Sequence, residues 1–158
     1  MIFATVGTSP DGFDRLVRGV DAIAPALGEP VTAQVGHGEY IPENINWFRF
    51  TDKEEIHELY RTASVVVAHA GAGTLSTALS YERPVVILPR REERGEHNDD
   101  HQTELATALS DRPGVQVVSE TDELNSAIER ARSESPDSVS TDRSLVQFLS
   151  GYINEVDT

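Results

Sequence analysis

"SVVVAHAGAGTLSTAL", Ser64 to Leu79, runs from β-branched residues into two glycines with small neighbours and then into a helix-forming segment. A short apolar run stopped by glycine reads as a buried strand. Gly71 and Gly73 are free to take backbone shapes that a side chain forbids, and Thr74 is placed both to cap a helix and to donate to an anion. A strand, a glycine turn and a helix start form one βα unit. In open α/β sheets such a turn is where ligands sit, because helix-terminal N–H groups point out of it.

Outward from this unit the same alternation repeats. Ile2 to Val6 reads as a strand, Phe13, Leu16, Val17, Val20 and Ile23 fall at helix spacing, and Val31 to Val35 is a second strand. After the loop "GHGEYIPEN" come "INWFRF" and the helical "TDKEEIHELYRTA", started by an Asp or Thr cap. Beyond the opening stretch follow a strand at Val85 to Leu88, a helix from about Asp99 to Leu109, a strand at Val115 to Val118 and a helix starting near Asp122. Near-continuous apolar strands alternating with helices imply a parallel sheet covered on both faces, a doubly wound, Rossmann-like α/β domain. The domain is expected over 1–132. "SESPDSVSTD" supplies a flexible linker at 133–143, and a C-terminal helix at 144–158 carries Leu145, Val146, Phe148, Leu149, Tyr152 and Ile153 as one stripe. That stripe docks on its own domain or on a partner subunit.

Composition removes several function classes. The formal charge of −14 argues against a nucleic-acid partner, whose binding rests on neutralising phosphates with Lys and Arg. Zero cysteines exclude disulfides, thiol nucleophiles and Cys-ligated zinc. Apolar runs are far short of the roughly 20 residues that span a bilayer, and "MIFATVGTSP" lacks the basic and apolar regions of a signal peptide, so a cytoplasmic protein is expected. Acidic residues spread along the whole chain, with Lys53 the only lysine, suggest a high-salt (halophilic) cytosol in which self-repulsion is screened.

Three loops at strand ends carry the candidate chemistry. "VGTSPDGF" offers Gly7 for close approach and the hydroxyls of Thr8 and Ser9. "HAGAGTLS" offers a diphosphate cradle; close helix–strand packing is the competing reading of its two glycines. It is neither a Walker A loop, since Gly73-Thr74-Leu75 stands where Gly-Lys-Ser/Thr is needed, nor a dinucleotide fingerprint, since Ser76 stands at the third glycine. "PRREERGEHNDDHQTEL" is long for a βα connection. Within it His97 and His101 flank two aspartates without a rigid frame, so no metal is expected. Gln102 is placed to read sugar hydroxyls or to be a solvated helix residue, and Arg90 and Arg91 to offset ligand charge or to be solvated.

"ATVGTSPDGFDRLV" (4–17), "AHAGAGTLSTAL" (68–79) and "RPVVILPRREERGEHNDDHQTELATAL" (83–109) together resemble the glycosyltransferase family 28 C-terminal domain, the donor-binding half of GT-B transferases of the MurG and Alg13 kind. The pattern Pro89-Arg90 and Gly95 to Gln102 is most similar to stand-alone exopolysaccharide donor subunits. The resemblance implies a UDP-sugar, with UDP-GlcNAc foremost, an inverting transfer to a lipid-linked acceptor, and no cofactor or metal. It implies that His69, Ala70, Gly71, Ala72, Gly73 and Thr74 hold the diphosphate with Gly7 and Thr8, that Phe50 and Thr51 face the uracil, and that Arg90, Asp100, His101 and Gln102 meet the charged and sugar parts. Thr77 stands where relatives carry an acidic residue for the ribose. His101 is the one candidate for a catalytic role; the general base belongs on the other half of the enzyme. The implied partner is an Alg14-like membrane-anchored acceptor subunit, which would hold the chain at the inner face of the membrane; a homo-oligomer is the further option. A non-catalytic nucleotide-sugar-binding module is the rival function. A UDP-sugar 2-epimerase would need both halves in one chain.

Overall fold

The computed structural model describes residues 1–97, 99–133 and 149. The expected linker at 133–143 and helix at 144–158 lie outside these apart from Ser133 and Leu149. The elements follow in order: β1 (Ile2–Thr5), α1 (Asp14–Leu27), β2 (Val31–Gln34), β3 (Asn46–Phe48), α2 (Lys53–Thr62), β4 (Val65–Ala68), α3 (Ala72–Ser80), β5 (Val85–Ile87), α4 (His101–Leu109), β6 (Val115–Val117) and α5 (Leu124–Arg132). Short 3₁₀ turns at Glu92–Arg94 and Thr121–Glu123 precede α4 and α5.

All six strands are parallel, in the order β3-β2-β1-β4-β5-β6. Side chains alternate across a strand, so the central strands β1, β4 and β5 each feed two cores. Ile2, Ala4, Val65, Val67 and Val86 face α1 and α5, whose Leu16, Val20, Leu124 and Ile128 are fully buried against them. Phe3, Val66, Ala68, Val85 and Ile87 face α2, α3 and α4 through Tyr60, Leu75, Leu79, Leu105 and Leu109. Leu149, the one described member of the C-terminal stripe, is buried in this second core.

Local signals set the element ends. Asp52 caps α2 by accepting from the Glu55 N–H at 2.8 Å, as its position before the periodic run implies. Gly28 ends α1 in the left-handed conformation at φ 75°. The Asp99 carboxylate accepts from the His101 N–H at 3.0 Å, so α4 starts two residues later than expected. Among the described residues no helix is long and apolar enough to cross a membrane.

Candidate functional site

At β1 and β4 the strand order reverses, and the loops leaving these neighbouring strands diverge. A cleft of about 710 Å³ opens there. Gly7, Thr8, Ser9 and Pro10 form one wall, and His69, Gly71, Gly73, Thr74 and Thr77 form the next. Phe50 and Thr51 with Ile56, His57 and Tyr60 of α2 close one end, His97 and Gln102 the other, over a floor of Thr5 and Gln34. The first intrahelical bond of α3 is Leu75 N–H to Gly71 C=O at 2.9 Å, so the N–H groups of Ala72, Gly73 and Thr74 precede the ladder and stand at the positive end of the helix dipole.

His69 organises this end of the cleft. Gln102 Oε1 accepts from the N–H groups of Ala70 and Arg90, each at 3.1 Å, which turns its amide nitrogen toward His69 Nδ1 at 3.2 Å. Nδ1 is therefore the acceptor, and the ring proton sits on Nε2, which donates to Thr74 Oγ1 at 3.2 Å. Burial, with the Arg90 charge and the neighbouring His97 adding to it, pushes the His69 pKa down to about 3, so the ring is neutral at physiological pH. Tyr60, whose hydroxyl meets Thr74, is pushed up to about 12 by burial. The Gln102–His69–Thr74 chain holds the Thr74 hydroxyl as an acceptor toward the ring.

The same ring explains two glycines. A Cβ on Gly71 would stand 2.3 Å from His69 Cε1, and one on Gly7 would stand 2.6 Å from Nε2. Gly7 also has φ +70°. Gly71 itself has ordinary extended angles (φ −86°, ψ 129°) and Gly73 is a regular α3 residue, so the expectation of special backbone shapes fails for this pair. Gly71 is needed for space beside the imidazole. A Cβ on Gly73 would meet nothing within 4 Å. Thr74, at the third position of α3, does not cap the helix; Gly71 occupies the cap position without a side-chain bond.

The structure brings Gly7, Thr8, Phe50, Thr51, His69, Gly71, Gly73, Thr74 and Gln102 to one cleft and leaves other expected residues away from it. Ala70 and Ala72 bury their methyls, and the Ala70 N–H is taken by Gln102. Gln102 is 5% exposed, so it is not a solvated helix residue; its carbonyl is committed to two backbone N–H groups and braces the loops while the side chain lines the cleft. Arg90 is neither solvated nor in the cleft wall. It is 0% exposed, donates to the carbonyls of Val6 (2.9 Å) and Gly12, and lies over the Phe13 ring at 4.8 Å. Asp100 faces a separate hollow with Arg91, Glu93 and Thr103. His101 is outside the cleft wall, with Nδ1 3.4 Å from Asp99 Oδ2.

Sequence reasoning missed Thr5, Pro10, Gln34, Ile56, His57 and Tyr60. The α2 trio was accessible in principle, since positions 56, 57 and 60 share one helix face next to Phe50 and Thr51. His57 Nδ1 pairs with the Tyr81 hydroxyl at 2.7 Å. Thr77 Oγ1 donates to the Gly73 carbonyl at 3.0 Å while lining the cleft. Phe50 stacks obliquely on His37 with centroids 4.8 Å apart.

Residues 1–152 match the family model described as the glycosyltransferase family 28 C-terminal domain. The chain belongs to this family. It is 33% identical over 118 residues to the UDP-N-acetylglucosamine transferase subunit ALG13 of Mus musculus and 31% identical over 119 residues to that of Homo sapiens. Each match covers 68% of this chain and 10% of the relative, so the chain matches about a tenth of the length of these curated relatives. Among solved structures, the spinosyn forosaminyltransferase SpnP superposes with TM-score 0.65 at 18% identity, over 96% of this chain and 39% of that one. MurG of Acinetobacter baumannii gives 0.58 at 14% over 98% and 49%, and the UDP-GlcNAc 2-epimerase of Methanocaldococcus jannaschii 0.56 at 12% over 94% and 44%. In fold this family 28 domain is similar to one Rossmann-like half of GT-B glycosyltransferases.

Proposed function

We propose that the chain is the donor-binding subunit of a split, inverting UDP-sugar transferase that uses UDP-GlcNAc and acts on a lipid-linked acceptor. An Alg14-like membrane-anchored partner supplies the acceptor site and holds the complex at the cytoplasmic membrane face. The observation that carries this reading is the set of free amides at the start of α3, with the hydroxyl of Thr74, opening on a cleft opposite Gly7 and Thr8. As the sugar leaves, negative charge grows on the diphosphate. Fixed N–H dipoles aimed at that charge lower the barrier without reorganising, and a helix start contributes about 0.3 to 2 kcal/mol through its dipole alone. Phe50, Thr51 and the α2 face then take the uridine, and the diphosphate lies between them and the opposite end of the cleft. The base that deprotonates the acceptor hydroxyl comes from the partner.

The test is calorimetry of the chain with UDP and UDP-GlcNAc, followed by transfer assays alone and with the partner. Binding by the chain, with strong turnover only in the complex, is the expected result. Absence of UDP binding sinks the donor-site reading, robust transfer by the isolated chain sinks the split, and binding without turnover in the complex leaves a nucleotide-sugar-binding module.

A further inference from the structure

The cleft is built for an anion, yet its described wall holds no lysine, arginine or carboxylate. Its ionisable groups are Tyr60 and three histidines. Two of these are engaged through Nδ1 by neutral partners: His69 by Gln102, and His57 by the Tyr81 hydroxyl. His97 differs. It is half-buried on the β5–α4 loop, its buried Nδ1 makes no hydrogen bond, and Asp99 Oδ1 stands 3.2 Å from that nitrogen. A carboxylate this close stabilises the imidazolium when a proton arrives.

Resting on the donor-binding reading, we propose that His97, backed by Asp99, is the cationic contact for the donor's diphosphate, and that the cleft takes up a proton when the diphosphate enters. His97 is close enough to His69, beside Gly7 and Gly71, to act on it electrostatically, which puts it at the diphosphate end of the cleft. Among the charged groups around it Asp99 favours an added proton and the fixed Arg90 cation opposes it. Asp99 is shared with His101 at 3.4 Å, Glu96 is neutralised by Arg15 at 2.9 Å, and Arg90 is fixed beneath His69 by backbone carbonyls. During transfer the bond between the anomeric carbon and the phosphate oxygen breaks with its electron pair passing to that oxygen, and the imidazolium faces the charge so formed. Asp99 is the positioning residue, since it acts through His97.

The experiment is calorimetry of the full chain at about pH 7.5 in buffers of different ionisation heat. UDP-GlcNAc or UDP-glucose serves as ligand, because its diphosphate has no proton of its own to exchange, and uridine is the control. The wild type is expected to take up a fraction of a proton with the UDP-sugar and none with uridine. His97→Gln should abolish the uptake and weaken the UDP-sugar about tenfold with uridine unchanged. Asp99→Asn should reduce the uptake, and His97→Lys should restore affinity without it. Imidazole NMR of the wild type, which needs no variant to fold, should show the His97 ring becoming protonated on addition of the UDP-sugar. Unchanged affinity and proton count in His97→Gln, or an unmoved His97 resonance in the saturated wild type, overturns the assignment while leaving the donor site standing. A chain that binds no UDP-sugar takes both down.

Discussion

Gly71→Ala tests the site's architecture most directly. The new methyl meets the His69 ring at 2.3 Å (Cε1), 2.7 Å (Nε2) and 3.1 Å (Nδ1), while the backbone at this position is unstrained for any residue. The whole effect is therefore steric. The ring cannot yield freely, because Gln102 and Thr74 hold its two nitrogens. Overpacking a rigid site costs about 1 to 3 kcal/mol, and losing one of these buried hydrogen bonds about 1 more, so a loss of about 2 to 4 kcal/mol is expected. The assay is urea unfolding at constant salt, read as a shift of midpoint at unchanged slope. A double-mutant cycle isolates the cause: with His69→Ala the methyl has room, and Gly71→Ala should then cost less than about 1 kcal/mol, a coupling of about 1.5 kcal/mol or more. Gly73→Ala is the companion. Its methyl meets nothing, and in a helix alanine is favoured by up to about 1 kcal/mol, so stability should hold or rise while UDP affinity falls. If Gly71→Ala and His69→Ala add within about 0.5 kcal/mol, the imidazole is not what demands glycine, and the account of this end of the cleft is wrong.

Arg90→Met leaves the carbonyls of Val6 and Gly12 without their charged donor and should cost about 2 to 4 kcal/mol by urea unfolding; Arg90→Lys, which lacks the two-pronged fork, should recover less than half. For Asp21, burial alone would raise the pKa, but hydrogen bonds from Tyr40, Asn44 and Glu43 more than offset it, and the net shift is below 3.8. Its contribution is thus present above pH 3.8 and lost as pH falls through the lower folded value, so the stability gap between wild type and Asp21→Asn should close only in strong acid. His69 is neutral when folded, with a pKa of about 3, but gains a proton below 6.5 once unfolded. Stability should therefore fall as pH drops from 6.5, with this group adding a slope of up to about 1.4 kcal/mol per pH unit that His69→Gln removes. A net charge of −14 predicts a higher urea midpoint at about 2 M than at about 0.05 M KCl, and a flat salt dependence would remove the high-salt reading.

The secondary structure was legible because each strand of a parallel sheet is buried on both faces, so Val65–Ala68 and Val85–Ile87 announce themselves as unbroken apolar runs. β3 was less so. It pairs only with β2 at the sheet edge, leaving Trp47 39% exposed, and the six residues "INWFRF" shrink to a three-residue strand. The glycine turn does line the cleft, but the constraint on Gly71 comes from a ring two residues earlier, not from its own dihedral angles. Least legible was the β5–α4 loop. By residue type Arg90 and Gln102 belong on the surface, and their burial follows only from Pro89 and Arg90 passing beneath the β1–α1 loop, a convergence of segments about 80 positions apart.

That convergence explains how a chain with short strands keeps the cleft in shape. Three long polar side chains tie the loops around the cleft to one another. Arg90 reaches from the end of β5 to the β1–α1 loop, and Gln102 from α4 to both the β4–α3 and β5 segments. Arg15 reaches from α1 to Glu96, Pro89 and Ser119. The Arg90 and Gln102 ties satisfy buried backbone groups, so breaking one costs more than the bond itself. The amides of α3 are consequently fixed in place, the condition under which dipoles act on a developing charge without a reorganisation cost. The carboxylates that make the chain acidic are absent from the described cleft wall, so under the proposed function a diphosphate would meet neutral amides, the fixed charge of Arg90 one layer down, and the imidazole of His97.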